Sequence, residues 1–379
     1  MSQKRIKLSE LIELKYGKGL PERDRKLGPY AVYGSNGMVG RHSSFLLDKQ
    51  TIVVGRKGSI GEITLTEQHS WPIDTTYYVH ILDERRLDLL YLFYYLRTLN
   101  LKRLDTSSAV PGINRKFVLD LSIPLPPVEI QEKVATLLQR ADDLGQTRQK
   151  ANQLTSKIIQ SIFLKIFGDP ISNENHWPVK TIREAAEKVS DGPFGSNLKT
   201  EHYTADGVRV VRLQNIGVGE FLDGDKAYIS LDHYSKIRKH TCVPGDVIVG
   251  TLGDPNLRAC ILPSHVEIAV NKADCIQIRP NKDVLIADYL CQLLNTPQML
   301  SLASSYLHGE TRTRISMSQV ASLLIPIPPI SIQRNYAQIV THFERVRTNQ
   351  NQSTEEIDQL FNSLVQKAFR GELVKVNIA

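Results

Sequence analysis

Two proline-rich stretches decide the fold: residues 121–127 read L-S-I-P-L-P-P, and residues 323–329, which lie 202 positions later, read L-L-I-P-I-P-P. Each stretch is followed by about 40 residues without proline, in which apolar residues recur at steps of four and three. This spacing predicts a long helix with one apolar face. Because both copies keep the same register at the same offset, we interpret the chain as a tandem duplication. Each half is then a variable region followed by a long helix.

The apolar spacing of the two helices is typical of a coiled-coil seam, since a step of 3.5 residues is sustained over several turns. A helix of 40 residues is about 60 Å long at 1.5 Å per residue. Glycine ends both candidate helices, at Gly168 and Gly371. We expect the two helices to pack on each other; two separate helical hairpins, or dimerisation arms, are the alternatives. The predicted seam residues are Ile130, Val134, Leu137, Leu144, Ile158 and Ile162 in the first helix and Ile332, Tyr336, Ile339, Phe343, Val346, Leu360 and Leu364 in the second.

The composition fits a protein of two or three domains that contacts an anionic partner. The chain has 379 residues, a formal net charge of +7 and a pI near 9.1, which favours attraction to nucleic acid. No secretory signal opens it, and its most apolar stretch, residues 87–96, is too short to cross a bilayer. The four cysteines have no metal-type pairing, so we expect core thiols in a reducing cytoplasm.

The region before each helix is predicted to be a mixed α/β module with a twisted, mainly β core. Short β-branched and aromatic runs between glycine-rich turns are typical of strands, and one apolar stretch in each module has helical length and spacing. The predicted strands are residues 51–55, 76–79, 208–213 and 246–250, and the predicted helices are residues 87–99 and 287–294.

Motifs that carry catalysis are missing from the sequence. Residues 34–40 and 55–61 have G-x-x-G-x-x-G spacing, whereas a dinucleotide or S-adenosylmethionine loop has G-x-G-x-x-G and opens into a helix. Residues 62–65 read as a strand, which favours tight hairpin turns. The sequence also has no P-loop, no amide-Pro-Pro-aromatic segment of amino-methyltransferases, and no histidine pair at i, i+4. We therefore expect a recognition protein with no catalytic residue and no metal site.

Polar side chains in loops and at strand ends of both modules suit contact with DNA. Arginine and lysine pair with guanine, asparagine and glutamine with adenine, and serine or threonine with either. Any one of these residues could instead lie in a solvated loop. The DNA-binding candidates are Asn36, Arg41, Arg56, Lys57, Ser59, Ser107, Asn114 and Arg115 in the first module and Ser196, Arg212, Gln214, Asn215, Lys236, Arg258, Arg312 and Arg314 in the second.

Taken together, the motifs resemble the specificity (S) subunit of type I restriction-modification systems, over essentially the whole chain. The resemblance rests on the doubled I-P-x-P-P followed by Gln131 or Gln333, and on helix ends that read F-G-D-P and F-R-G-E-L. The supporting motifs are Y-G-S-N-G-M-V-G, G-R-K-G-S-I-G and S-S-A-V-P-G-I-N-R in the first module and D-G-P-F-G-S, V-V-R-L-Q-N-I and L-G-D-P-N-L-R-A-C in the second. One departure from the family is Ile332-Gln333-Arg334, because many members have an acidic residue before the glutamine.

The resemblance implies an α/β fold of mixed α+β type with an internal pseudo-two-fold repeat. Two target recognition domains, residues 1–126 and 171–328, would be separated by two long antiparallel coiled-coil helices, residues 127–170 and 329–379 with the C-terminal tail. The resemblance also implies a non-catalytic, cytoplasmic subunit that reads a bipartite, asymmetric target in double-stranded DNA. It would not associate with a membrane.

The partners that the resemblance implies are two modification subunits, which methylate adenine, and restriction subunits, which cleave DNA. No cofactor would bind to this chain, because S-adenosylmethionine, ATP and magnesium belong to those partners. One alternative function is an adenine-specific DNA methyltransferase with an unfamiliar cofactor loop, which binding of S-adenosylmethionine by the chain alone would reveal. Another is a coiled-coil interaction scaffold, which would lack salt-dependent DNA binding.

Overall fold

The computed structural model describes residues 5–104, 112–253, 255–305 and 314–373, and the chain divides into two compact units. The first unit comprises Met1–Lys150 and Asn351–Ala379, and the second comprises Ala151–Gln350. Each unit therefore combines one module with the beginning of the helix that follows it and the end of the other long helix.

The first unit is built from short strands and two short helices that precede the first long helix. The elements are β1 (Arg5–Lys7), β2 (Ile12–Tyr16), β3 (Tyr30–Gly34), β4 (Gly37–His42), β5 (Ile52–Gly55), β6 (Ile63–Leu65), β7 (Ser70–Pro72), β8 (Thr76–Ile81), α1 (Leu89–Thr98), α2 (Arg115–Leu119), β9 (Ser122–Pro124) and the long helix α3 (Val128–Phe167). A four-stranded antiparallel sheet has the order β2-β8-β5-β6, a three-stranded sheet has the order β4-β3-β7, and β1 pairs with β9.

The second unit repeats this plan with longer connections. The elements are β10 (Val179–Thr181), α4 (Ile182–Ala185), β11 (Ala186–Ser190), β12 (Tyr203–Thr204), β13 (Val208–Val211), β14 (Tyr228–Ile229), α5 (Leu231–Lys236), β15 (Thr241–Cys242), β16 (Val247–Gly250), β17 (Ala259–Ile261), β18 (Ala269–Asn271), β19 (Cys275–Pro280), α6 (Ala287–Leu294), α7 (Pro297–Ser305), α8 (Met317–Ser322), β20 (Leu324–Pro326) and the long helix α9 (Ile330–Arg370). The four-stranded antiparallel sheet of this unit has the order β11-β19-β16-β17, a five-stranded sheet has the order β12-β14-β13-β18-β15, and β10 pairs with β20.

The duplication is visible in the strand pairing of the two units. In the first unit β3 runs parallel to β7, and in the second β13 runs parallel to β18. The two proline-rich stretches form β9 and β20, and each pairs antiparallel with the first strand of its own module. These ladders have two strands each, so the N–H that proline lacks is not needed by a third strand. The predicted mixed α/β fold and internal repeat are confirmed.

The two long helices have the predicted length, since α3 contains 40 residues and α9 contains 41. Both stop at a glycine in the left-handed region, Gly168 and Gly371, each with φ of +78°. In the second unit the helices run antiparallel. The rings of Phe163 and Tyr336 lie 5.5 Å apart, and Thr155 Oγ1 donates to Gln350 Oε1 over 3.2 Å. Among the described residues, no helix is both long enough and apolar enough to cross a membrane.

The predicted seam is wrong at four positions, because Leu137, Leu144, Ile158 and Leu360 are between 40% and 50% exposed. Leu138, beside Leu137, is fully buried instead and belongs to the core of the first unit. The heptad prediction assumed that each helix buries residues only against the other helix. In the structure each helix also packs on a module, which rotates the buried face. Of the other seam residues, Val134 and Tyr336 are buried and the following are partly buried: Ile130, Ile162, Ile332, Ile339, Phe343, Val346 and Leu364.

Candidate nucleic-acid interface

Four segments of the first unit are joined by hydrogen bonds near the ends of strands β2, β5 and β8. The Ser35 hydroxyl donates to the Thr75 carbonyl (2.7 Å), and the Arg56 amide donates to the same carbonyl (3.0 Å). The Ile113 amide donates to the Arg56 carbonyl (3.2 Å). We name residues 35–36, 56–61, 73–75 and 112–115 the first loop cluster. The DNA-binding candidates that it brings together are Asn36, Arg56, Lys57, Ser59 and Arg115, together with Asn114, whose side chain caps helix α2.

Gly55 allows the segments of the first loop cluster to approach one another. A Cβ on Gly55 would lie 2.2 Å from the Ser59 carbonyl oxygen and 2.8 Å from the Ser35 carbonyl oxygen. Both atoms belong to the backbone, so any larger residue would push the β3–β4 turn away from the segment that follows β5. Strands β5 and β6 pair antiparallel across this segment, so the predicted hairpin is confirmed, but its connection, residues 56–62, is longer than the predicted tight turn.

Tyr16, which the sequence analysis missed, also lies beside the first loop cluster. It is the last residue of β2, and its side chain is 52% exposed. Its ring centroid lies 5.2 Å from Cζ of Arg56 and 5.4 Å from Cζ of Arg115, which is within the range of cation–π attraction. Strand alternation puts Tyr16 in phase with buried Ile12 and Leu14, so the pattern predicts a core residue. The only sequence feature that favours an exposed position for Tyr16 is Gly17, which follows it at the end of the strand.

The remaining candidates of the first module lie elsewhere or have structural partners. Arg41, near the end of β4, forms an ion pair with Glu67 (3.2 Å). The side-chain oxygen of Asn114 caps helix α2 by accepting from the Lys116 amide (3.0 Å). Ser107 lies outside the described residues.

The second unit contains an equivalent hydrogen-bonded frame. The Thr251 amide donates to the Asp274 carbonyl (3.0 Å), which corresponds to the bond from Arg56 to Thr75 in the first unit. The Ile315 amide donates to the Thr251 carbonyl (3.3 Å), which corresponds to the bond from Ile113 to Arg56. We name residues 191–196, 251–253, 272–274 and 314–315 the second loop cluster. Arg314 Nη1 lies 3.3 Å from Asp274 Oδ1, and its Cζ lies 5.5 Å from the ring of Phe194. Exposed Ser196 lies two residues after Phe194.

Two candidates of the second module are structural, so their predicted contact with DNA is corrected. Asn215 is fully buried, and its side-chain amide donates to the carbonyls of Leu222 (2.9 Å) and Asp225 (2.8 Å). The guanidinium of Arg258 donates hydrogen bonds to the backbone carbonyls of Leu213, Ile216, Leu252 and Pro255. The connection between β13 and β14 is largely irregular, so its carbonyls take their donors from side chains.

The other candidates of the second module have different surroundings. Arg212 forms an ion pair with Asp225, and Gln214 is exposed beside it. Lys236 lies on helix α5, where it forms an exposed ion pair with Asp232 (2.8 Å). Arg312 lies outside the described residues.

Carboxylates balance several arginines of the second unit. Arg209, which is buried, lies 2.8 Å from Asp223. Burial works to raise the pKa of Asp223, but Arg209 and Lys226 outweigh it, so the pKa of Asp223 lies below its ordinary value. Asp223 is therefore ionised at neutral pH and holds Arg209 inside the module. The arginines of the second unit that form these ion pairs stabilise the unit itself.

The cysteines of the second unit are free and buried. Burial raises the pKa of Cys275 and of Cys291 to about 12, so both are neutral thiols near pH 7. A thiolate is the form that binds metals or attacks a substrate. Within residues 5–104, 112–253, 255–305 and 314–373, no group of three or more His, Cys, Asp or Glu side chains is placed to hold a metal ion. The chemistry that the two clusters offer is hydrogen-bond donation from loops.

Comparisons with known proteins agree with one another. The family model described as the type I restriction modification DNA specificity domain matches residues 3–156 and 177–359. The MjaVIII specificity subunit of Methanocaldococcus jannaschii is 21% identical over 306 residues, which cover 77% of this chain and 72% of that protein. The EcoDI specificity subunit of Escherichia coli is 20% identical over an alignment of 425 positions, which covers 98% of this chain and 88% of that protein. The solved S subunit of a type I restriction-modification system from M. genitalium aligns with a TM-score of 0.63 at 16% identity, covering 97% of this chain and 96% of that one.

Proposed function

The chain belongs to the family of type I restriction-modification DNA specificity proteins, and we propose that each of its two units reads one half of a split DNA target. As a specificity subunit it supplies sequence recognition, and the methyltransferase and endonuclease activities belong to other subunits. The two half-sites differ in sequence, so the complete target is not a palindrome.

One observation carries this proposal: the two loop clusters share a backbone frame but differ in their side chains. The amide-to-carbonyl bond from Arg56 to Thr75 recurs as the bond from Thr251 to Asp274. A shared frame supports the same task in both units, namely presenting loop side chains to the edges of bases. Different side chains on that frame support different base preferences.

We place the partners on the long helices. Leu137, Leu144 and Leu360 of the first unit are half-exposed, as is Ile158 of the second. Exposed apolar side chains on a helix are candidates for protein contact where they form a contiguous patch. Two modification subunits would dock on them, and restriction subunits would join that assembly in the cytoplasm. S-adenosylmethionine would be bound by the modification subunits, and ATP and magnesium by the complete enzyme.

Mapping of methylated adenines in the host genome tests the proposal. The expected result is one motif with two unlike halves around a spacer of arbitrary sequence, which disappears when the gene for this chain is deleted. Replacing residues 1–126 by the same region of a relative should change one half only. A contiguous or palindromic motif would contradict the proposal, as would a motif that survives the deletion.

Binding of DNA by the complex with modification subunits gives a second test. Phosphate contacts release counterions, so the affinity should fall steeply between low and physiological salt. An interaction scaffold would show no such dependence.

A further inference from the structure

Tyr16 is the shared partner of two arginines in the first loop cluster. Cζ of Arg56 and Cζ of Arg115 lie 5.2 and 5.4 Å from its ring centroid, although the arginines come from segments about 60 residues apart in sequence. A guanidinium held against an aromatic ring has less rotational freedom than one in water, so it reaches a ligand with less loss of entropy. The ring therefore preorganises both arginines.

The aromatic support is itself fixed by the core of the first unit. Tyr16 and Tyr77 are paired residues of strands β2 and β8, and their rings lie 5.1 Å apart at an angle of 59°. Tyr77 is buried, and its hydroxyl donates to the Ile113 carbonyl (3.1 Å). That bond holds the segment that leads into Arg115. The sheet thus positions the ring and one of the arginines through a single pair of tyrosines.

The charges of these two arginines have no carboxylate partner among the described residues. Arg56 Nη2 donates to the Asp74 carbonyl (2.7 Å), and Arg115 Nη1 donates to the Leu14 carbonyl (3.4 Å). Within the described part of the chain, neither arginine forms an ion pair, whereas Arg314 of the second unit is paired with Asp274. Each guanidinium has five N–H donors, and these bonds use few of them. Two neighbouring cations with spare donors fit a ligand rich in hydrogen-bond acceptors.

We propose that Tyr16 is a positioning residue that holds Arg56 and Arg115 for recognition of guanine in the half-site of the first unit. This inference rests on the proposed function, since it assumes that the first loop cluster contacts DNA. Guanine presents two acceptors, O6 and N7, in the major groove, and a planar guanidinium matches them with two parallel N–H groups. A supported arginine suits this contact because a bidentate pair demands a fixed orientation. A phosphate can also accept a guanidinium through two oxygens, but its tetrahedral oxygens do so from several directions, so it depends less on a fixed guanidinium orientation.

The experiment compares complexes that contain the modification subunits and either the natural chain or one of its variants. Binding is measured on duplexes with the genome-mapped target and on duplexes in which each base pair of either half-site is exchanged in turn. Tyr16→Phe keeps the ring and should stay within about threefold of the natural affinity. Tyr16→Leu should lose about tenfold on the natural target. It should also lose discrimination at one or two G·C pairs of one half-site, with the salt dependence and the other half-site unchanged.

Two further variants keep the test decisive. Arg56→Lys and Arg115→Lys keep the charge and the ring but lose the planar fork, so they should relax discrimination at the same base pairs even if Tyr16→Leu does not fold. Phe45→Leu is the matched control, because Phe45 is an exposed aromatic residue of the same unit that packs on Tyr30 and His69. It should bind as the natural chain does.

Three outcomes would overturn the proposal. The first is an equal loss on every duplex together with a weaker salt dependence, which identifies a phosphate contact. The second is natural binding by Tyr16→Leu, and the third is a loss by Tyr16→Phe as large as that of Tyr16→Leu. Failure of the proposed function itself looks different, since the natural complex would then bind all duplexes alike.

Discussion

Gln131 and Gln333, which are 202 positions apart, form the same three hydrogen bonds, each in its own unit. Both side chains are fully buried near the start of a long helix. Each side-chain amide donates to two backbone carbonyls, each side-chain oxygen accepts from one backbone amide, and all the distances lie between 2.8 and 3.0 Å. The partners are Arg86, Pro126 and Asp88 for Gln131 and Val284, Pro328 and Ile286 for Gln333. The glutamine therefore fastens each long helix to the loop that precedes α1 or α6.

Replacing either glutamine by leucine should destabilise the protein. Gln131→Leu or Gln333→Leu removes three hydrogen bonds of a buried side chain and leaves the buried carbonyl of Pro126 or Pro328 without this donor, so we expect a loss of about 2–4 kcal/mol in the free energy of unfolding. Denaturant titration followed by circular dichroism measures it. Gln139→Leu and Gln338→Leu, at exposed positions of the same helices, are the controls. Equal midpoints for the buried and the exposed variants would contradict the role assigned to the pair.

Asn215 and Gln214 are neighbours with opposite expected effects. Asn215→Ala removes two buried donors and one acceptor, so it should cost roughly 2–3 kcal/mol of unfolding free energy. Gln214→Ala changes an exposed side chain, so stability should stay within about 0.5 kcal/mol. Any effect of Gln214→Ala should appear in DNA affinity instead. Thermal melting together with binding of the target duplex separates the two effects.

Leu138 and Leu144 of helix α3 should separate folding from assembly. Leu138→Asp puts a charge into the core of the first unit, so the variant should lose that unit's cooperative unfolding. Leu144→Asp lies at a half-exposed position and should melt as the natural chain does. If the exposed leucines contact the modification subunits, Leu144→Asp should fail to form the complex in native mass spectrometry. An intact complex would remove Leu144 from the docking surface.

Asp288 gives the second unit a dependence on pH. Burial raises the pKa of Asp288 above its ordinary value, so the folded state binds its proton more tightly than the unfolded state does. Stability should therefore fall as pH rises from the ordinary carboxyl pKa through the raised folded value. Asp288→Asn should abolish this loss, and its advantage over the natural chain should grow with pH.

Glu184 is the control of opposite sign for the pH experiment. Hydrogen bonds from the Thr181 amide and hydroxyl lower the pKa of Glu184, so its contribution to stability is lost as pH falls. Glu184→Gln should therefore destabilise at neutral pH and have no effect in acid. Denaturation midpoints at several pH values check both variants. The same trend in the two would show that the burial of Asp288 is not the cause.

The regular elements were predictable because each depends on a local pattern. The helix predicted at residues 287–294 is α6, and the strand predicted at residues 51–55 is β5 with one residue fewer. Prolines and glycines bounded the two long helices correctly. Leu137 and Leu138 show where a prediction from the local sequence pattern fails. A heptad favours Leu137, but α3 also packs against the module, and that contact is made by Leu138.

The candidate site was less predictable, because the side-chain donors that can contact DNA bases can equally donate to backbone carbonyls of the protein itself. Asn215 and Arg258 carry the chemistry that reads DNA, yet they donate to carbonyls of the irregular β13–β14 connection and the loop after β16. No sequence pattern states which carbonyls lack a strand partner. Tyr16 was missed for the reverse reason, since strand alternation marks it as a core residue. Only the arrangement of Arg56 and Arg115 around its ring reveals it.

The division of the long helices between the units has a consequence for synthesis on the ribosome. The core of the first unit includes Ala368, and Phe369 packs against Tyr91 and Tyr95. These helix residues are translated after the whole of the second unit, residues 151–350. The second unit can therefore close while the first, although its strands emerged earlier, still awaits the end of α9. The chain of the first unit is therefore complete only after that of the second, and we expect a nascent chain that stalls near residue 350 to expose apolar surface of its first unit.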